Sequence, residues 1–346
     1  MEKRKSTFLL IILMTLLVGC GVREDKLAEK SESFQSTTIF AMDTIMDIKI
    51  YGGESGLLTH IEEKIRDLDN KLSTTDKDSD IYALNLNGKG VVSKDAEVLL
   101  EKALSLCRKT QGTLDISIYP IVREWGFTTG EYRVPNEEKI QSLLTTVDYR
   151  RIQQEGSNVN LQKGMEVDLG SVAKGYTADE VVFLLEEAGI TSALLNLGGN
   201  VHALGTKPDG NDWCIAIQDP KGDNPLGVVS VSNEAVVTSG GYERYFEDNK
   251  GNLYWHIMDP KTGHPANNGL ISVTIISPSG LYADALSTSM FIKGLDKAID
   301  FWKANKDFEA IFVVDDGQVY ITEGLEERFS LIESYEDETF QVIRSE

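Results

Sequence analysis

Ser192-Ala193-Leu194-Leu195-Asn196-Leu197, Trp213-Cys214-Ile215-Ala216-Ile217-Gln218, Val236-Val237-Thr238-Ser239, Tyr254-Trp255-His256-Ile257-Met258 and Ile271-Ser272-Val273-Thr274-Ile275-Ile276 are short runs of β-branched, aromatic and aliphatic residues. Each is strand-length, and Gly, Asn, Asp and Pro stand between them. Strands that follow one another with few helices between them are joined as hairpins, because parallel neighbours need long crossovers. A helical pattern over 173–187, ended by Gly189, precedes the runs, and another begins near Ala283. The order predicts an α+β fold with mostly antiparallel sheets and packed helices, not a doubly wound parallel sheet.

Toward the N-terminus, Met46, Ile48 and Ile50 alternate with polar partners as a half-buried strand, and Ile61, Ile65, Leu68 and Leu72 recur at helical spacing. Ser93 can cap a helix that runs through Leu99, Ala103 and Leu106 and stops at Gly112, and Pro135 can open a third. Asp316-Gly317 predicts a hairpin that closes the fold. No repeat is present, and no Pro- or Gly-rich linker marks a boundary near residue 165, so the two halves read as lobes of one body.

With 41% apolar and 26% charged residues, the 346-residue chain falls in the soluble globular class. Fifty-five acidic against 34 basic residues give a net charge of −21, which repels nucleic acid and excludes it as a partner. Lys3, Arg4 and Lys5 precede an apolar run from Phe8 to Val18 that is short for a membrane span, and Gly19-Cys20 follows. Residues 1–19 therefore read as a lipoprotein signal peptide and Cys20 as the lipidated mature N-terminus. Residues 20–37 read as a polar tether, and 38–346 as the folded body. The alternative is an ordinary signal peptide with an incidental cysteine. The expected location is secreted, lipid-anchored to the outer face of the cytoplasmic membrane. Cys107 and Cys214 lie in apolar patterns and read as buried free thiols.

Paired glycines in Leu197-Gly198-Gly199-Asn200 and Ser239-Gly240-Gly241-Tyr242 permit positive φ and close backbone approach. They suit either a ligand loop or a tight turn, and neither matches a phosphate-binding or dinucleotide fingerprint. Asp284 and Thr288 stand four residues apart on one helical face, where a carboxylate and a hydroxyl can share a hard cation such as Mg2+. Alternatively, Asp284 caps the helix and Thr288 back-bonds to a carbonyl. Val167 to Gly175 reads as strand, turn and helix start, with Asp168 as a ligand anchor or N-cap and Lys174 as a phosphate partner or surface charge. His256, in a strand that runs into a turn, has the most ligand-like context of the four histidines; His60, His202 and His264 read as exposed or hydrogen-bonded.

Together these segments resemble the ApbE family of flavin transferases. The matching pieces run in order: Ala41-Met42-Asp43-Thr44, Trp125-Gly126-Phe127, Val167 to Gly175, Leu197 to Asn200, Ser239 to Tyr242, His256 to Pro265, and Ala283 to Thr288. The resemblance implies a T-fold-like α+β body and an FAD site lined by Met42, Trp125, Gly126, Phe127, Asp168, Lys174, His256 and Ile257. It also implies Mg2+ held by Asp284, Thr288 and the backbone carbonyl of Ala173. The chain departs from the pattern at Leu72-Ser73-Thr74-Thr75, where many relatives carry a Tyr after a Met-Ser or Phe-Ser pair. It departs again at Ser171, where a second Gly is common.

The implied activity is Mg2+-dependent transfer of FMN from FAD to a Ser or Thr hydroxyl of an extracytoplasmic acceptor protein, with release of AMP. His256 or Asp284 would accept the hydroxyl proton. The competing readings are a Mg2+-dependent FAD pyrophosphatase and a non-catalytic flavin-binding lipoprotein. The leader carries its own test: Cys20→Ala should move the protein from the membrane to the soluble fraction. A mature chain starting elsewhere, or an unmodified Cys20 by mass spectrometry, would refute the anchor.

Overall fold

The computed structural model describes residues 34–332 and 339–346, so Cys20 and the leader lie outside the described residues. Residues 33–346 form one compact unit, with no boundary near 165. The fold is α+β. Its centre is a nine-stranded sheet whose spatial order is also its chain order: Phe34–Ala41, Thr44–Tyr51, Ala193–Leu197, Asn200–Leu204, Glu234–Gly240, Leu270–Ser277, Glu309–Val314, Val319–Thr322 and Phe340–Ile343. Every neighbouring pair is antiparallel except the last. The first strand takes in residues 34–37, which read as tether in the sequence.

Helices cover one face of this sheet. Leu57–Leu72 buries the four residues predicted for it, Ile61, Ile65, Leu68 and Leu72. Ala173–Glu187 has the predicted bounds, and Gly189 follows in the left-handed region that ends a helix without strain. Gly280–Lys293 packs on the strands Glu234–Gly240 and Leu270–Ser277. On the other face, a three-stranded sheet of Trp213–Gln218, Pro225–Val231 and Phe329–Leu331 forms a second apolar core around Trp213, Ile215, Val229, Val313 and Phe329. The long excursion between the second and third strands of the main sheet carries Lys94–Lys109, capped by the Ser93 side chain as predicted, and a core of its own.

Several expectations need correction. Pro135 does not itself open a helix; Asn136 caps Glu137–Leu144 through its side chain, since a carboxamide oxygen can accept an N-terminal N–H. The helices Asp80–Asn87 and Tyr119–Glu124 were not foreseen, being too short for a periodic signal. The strand Leu253–Trp255 ends before His256, which lies in a bend. The Asp316-Gly317 turn does form a hairpin, but the chain continues to the parallel strand Phe340–Ile343. Cys107 is buried, whereas Cys214 points outward from an alternating strand and is exposed. Among the described residues no helix is long and apolar enough to cross a membrane.

The Ala173 and Gly280 helices approach closely because both have glycine at the crossing. A Cβ on Gly175 would overlap the Gly280 carbonyl and lie 2.7 Å from Asp284 Cβ. Asp179 locks the pair by accepting from Ser279 Oγ (2.9 Å), Gly280 N (2.6 Å) and Leu281 N (3.1 Å), three groups at the start of the Gly280 helix. Gly175→Ala should therefore lose about 1–3 kcal/mol of stability, the usual cost of overpacking, because backbone cannot yield as a side chain does. Urea unfolding of wild type and variant measures it, and an unchanged midpoint would contradict the close-crossing argument.

Candidate functional site

At the ends of the central strands that carry the Gly198-Gly199 turn, a cleft of about 1100 Å³ lies between the helices and the excursion. Met42, Phe127, Asp168, Ala173, Lys174, His256, Ile257, Asp284 and Thr288 all line it. Trp125 and Gly126 do not. Trp125 is fully buried behind Phe127, with Nε1 donating to Gly263 O (2.9 Å) and its ring 5.2 Å from Tyr254. Gly126 has φ 87°, and a Cβ there would run into the Glu131 carbonyl, so it shapes the turn that presents Phe127.

Local structure explains how the lining residues are held. Met42 and Asp43 form the two-residue turn of the first hairpin with φ of 50° and 59°, the left-handed geometry such hairpins require. Neither is glycine, so the turn carries backbone strain. Met42 Sδ lies 3.7 Å from Thr177 Oγ1. Gly198 and Gly199 form a second two-residue turn (φ 63° and 92°), so the tight-turn and ligand-loop readings are both met: the turn also lines the cleft. Gly240 lies in a strand, where a Cβ would strike the Tyr242 ring.

Neither helix-cap alternative holds. Ser279 caps the Gly280 helix, placing Asp284 one turn inside it, where its buried Oδ2 accepts from Gly175 N (2.8 Å). The cap position of the Ala173 helix is Val172, without a side-chain bond, while Asp168 Oδ1 accepts from Gly170 N (2.8 Å). Burial raises the Asp168 carboxyl above the ordinary range, against the lowering pull of the Gly170 N–H, Arg244 and Lys174. Thr288 Oγ1 lies 3.3 Å from Ser239 Oγ, which also meets Ser287 Oγ (2.8 Å).

The donors suit a hard cation: the Asp284 carboxylate has an oxygen not used by Gly175, and Thr288 sits one turn along. Ala173 O has least spare capacity, since Thr177 Oγ1 donates to it (2.8 Å). Among the described residues no cluster of three or more His, Cys, Asp or Glu could hold a metal, so a metal here would rely on hydroxyl, carbonyl and substrate oxygens. The lining residues include seven acids, Asp43, Asp69, Asp76, Asp115, Asp168, Glu243 and Asp284, against Lys174 and Arg244 as the two Lys or Arg side chains. An anionic ligand needs added positive charge in such a cleft.

Residues that the sequence reading assigned no role complete the site. Arg244 donates through Nη2 to Phe127 O, and its own carbonyl accepts from His256 N (3.1 Å). The same carbonyl lies 3.2 Å from His256 Nδ1 and cannot donate, so this is a bond only when Nδ1 carries the hydrogen, leaving Nε2 with a lone pair. Glu243 is exposed and lines the cleft. Desolvation lifts its carboxyl to about 7, with Lys174 opposing and Asp284 adding to the rise. These residues follow the Ser239-Gly240-Gly241-Tyr242 motif directly, which was the available signal. Of the other histidines, His264 bonds Glu137 (3.1 Å) and His60 is exposed, but His202 is buried and makes no hydrogen bond through Nδ1, which lies 3.6 Å from Asp179 Oδ1, contrary to expectation.

The ApbE family profile matches residues 42–312, which contain all of these groups. This chain belongs to the ApbE family. It is 32% identical to the FAD:protein FMN transferase of Treponema pallidum, over 93% of this chain and 95% of that protein. It is 31% identical to that of Escherichia coli K12, over 84% and 87%. In structure it resembles the ApbE protein of Thermotoga maritima (TM-score 0.80, 30% identity, 86% of this chain and 99% of that one). It also resembles the flavin transferase ApbE of Vibrio cholerae (0.77, 27%, 86% and 99%).

Within this ApbE fold the imidazole of His256 has a defined charge. Burial pushes its pKa down to about 4; the Arg244 carbonyl opposes this, and the Arg244 and Lys174 charges add to it. A depressed imidazole is neutral at pH 7 and gains its proton only as pH falls through the folded value. Any stability tied to the neutral ring is present above about 6.5, the unfolded value, and is lost between there and about 4. NMR titration of His256 should therefore give a midpoint near 4; one at 6 or above would contradict this environment.

Proposed function

We infer that this protein transfers FMN from FAD to another protein, and that the acceptor atom is a Ser or Thr hydroxyl of an extracytoplasmic partner. The observation that carries the reading is the Asp284–Thr288 oxygen pair lining the same acidic cleft as Lys174, in a chain similar over most of its length to FAD:protein FMN transferases. Mg2+ is the cation that fits the donor set; when bound it supplies positive charge for the pyrophosphate oxygens. Lys174 and Arg244 are placed to hold the anionic substrate, and Phe127 and Ile257 offer apolar surface to the flavin. Asp168, Met42 and His256 line the same wall.

In the reaction the acceptor oxygen bonds to the FMN phosphorus, the P–O bond to the AMP phosphate breaks, AMP leaves, and the hydroxyl proton passes to a base. His256 suits that role through its neutral ring and free Nε2; Asp284 remains its competitor. Holding both substrates in one cleft contributes up to about 7–11 kcal/mol toward the barrier in well-oriented cases. The leader supports secretion and anchoring through Cys20 to the outer face of the membrane, which places the enzyme among extracytoplasmic acceptors.

Asp284→Asn keeps an acceptor for Gly175 N–H but removes the charge, so transfer should fall by about a hundredfold or more with the fold intact, the scale of losing one electrostatic contact. Retention of the wild-type rate and Mg2+ dependence would move the metal elsewhere. Mass spectrometry of secreted proteins incubated with enzyme, FAD and Mg2+ should show an FMN adduct and AMP in equal amount. Free FMN and AMP without an adduct would favour the pyrophosphatase, and FAD left whole would favour a flavin-binding lipoprotein.

A further inference from the structure

A row of buried side chains crosses the helix-facing side of the main sheet, and strand register fixes its members. Met46 stands opposite Leu197, Leu197 opposite Asn200, and Val237 opposite Ile275. Because Val236 pairs with Val201, Val237 stands beside Asn200 and completes the row. Met46, Leu197, Val237 and Ile275 are apolar and at most 1% exposed. Asn200 is the exception: it is 4% exposed, and its Nδ2 is enclosed without a hydrogen-bond partner, a state that buried amides avoid.

The exception falls at a particular place. Leu197 belongs to the core beneath the Ala173 helix, with Ala178 and Val181, and Val237 to the core beneath the Gly280 helix, with Ala283 and Leu286. Asn200 lies between these two cores, and its strand packs under both helices. It therefore sits below the seam where the helices meet. There it lines the cleft together with Lys174 from one helix and Asp284 and Thr288 from the other.

Leucine, of nearly the same size, would fill this row at less cost, so the amide answers a need other than packing. What the row lacks is an acceptor, since a carboxamide nitrogen offers two N–H bonds and accepts none. Phosphate oxygens are acceptors only and match that shortfall, whereas an adenine edge also brings a donor.

We propose that Asn200 donates to the pyrophosphate of FAD at the floor of the cleft and holds the oxygen on which charge collects as the P–O bond breaks. The torsion that carries the carboxamide is broad, so its NH2 turns from the row into the cleft that the residue lines. When the acceptor oxygen displaces AMP, the electron pair of the breaking P–O bond stays on the AMP phosphate; the amide hydrogen-bonds that phosphate and keeps its own protons. A donor fixed in place before the reaction stabilises this charge without reorganising. The inference rests on the reading that FAD is cleaved in this cleft, and it adds a neutral donor to the charged groups already placed there.

The test compares the full-length wild type with Asn200→Leu, which removes the donor and makes the row wholly apolar. Because Nδ2 has no partner to lose, Asn200→Leu should leave Tm equal to or above that of wild type. With FAD and Mg2+ saturating, it should release AMP about a hundredfold more slowly, the scale of losing one such donor. ADP, a diphosphate without a flavin, should bind about tenfold more weakly by calorimetry. An unchanged ADP Kd or wild-type AMP release would overturn the proposal, as would a lowered Tm as the only effect. Where leucine is not tolerated, Asn200→Ala carries the same readouts, and a wild-type ADP Kd in that variant overturns the proposal equally. Failure of the underlying reading shows separately, without any substitution: the wild-type enzyme would leave FAD whole.

Discussion

The crossing of the Ala173 and Gly280 helices at Gly175 and Gly280 is the constraint on which the site depends. Only hydrogen atoms fit where the two backbones meet, so the helix carrying Asp284 and Thr288 is drawn against the first turn of the helix carrying Ala173 and Lys174. The Asp284 carboxylate then accepts the Gly175 N–H, one of the donors a helix leaves unsatisfied at its N-terminus, and is oriented by that bond. Asp179, one turn further along, fixes the start of the partner helix in the same way. Asp284, Thr288, Ala173 and Lys174 are thus positioned by one helix pair whose geometry admits little adjustment.

The rest of the cleft is arranged around that pair through backbone groups more than through side-chain ion pairs. Arg244 ties the Phe127 turn to the His256 bend with one guanidinium bond and one carbonyl. Trp125 and its neighbours Tyr254 and Phe246 support the same region from behind, supplying rigidity without touching the cavity. A cleft lined by seven acids against Lys174 and Arg244 disfavours an anionic ligand that arrives without a cation.

Much of the fold was legible because its signals are periodic. The four inward residues of the Leu57 helix, the bounds of the Ala173 helix and the strand Trp213–Gln218 follow directly from spacing. What spacing does not convey is which of two competing bonds a polar residue makes. Asp284 and Asp168 both looked like caps, and only the tertiary position of Ser279 and of the Gly170 turn removed that reading. Trp125 and Gly126 belong to a recognisable motif, yet a motif does not distinguish a residue that touches a ligand from one that shapes the turn beneath it. Arg244 and Glu243 had no periodic or compositional signature beyond following a glycine motif, and Cys214 alternates outward because its strand belongs to a sheet with one open face.

Chain order and spatial order agree in the nine-stranded sheet, and of the segments that intervene between its neighbouring strands the longest is residues 52–192, between the second and third. From the third strand onward, pairings close between neighbours in sequence and cost little loop entropy, so this part can assemble quickly. The first hairpin is different. It is complete by Tyr51 but has no sheet to join until Ala193–Leu197 has been made, and meanwhile it presents an unpaired strand edge. During synthesis the nascent chain therefore carries an open edge at the first hairpin for the length of the whole excursion. A folding route of this kind places the greatest demand on chaperoning before the Ala173 and Gly280 helices exist.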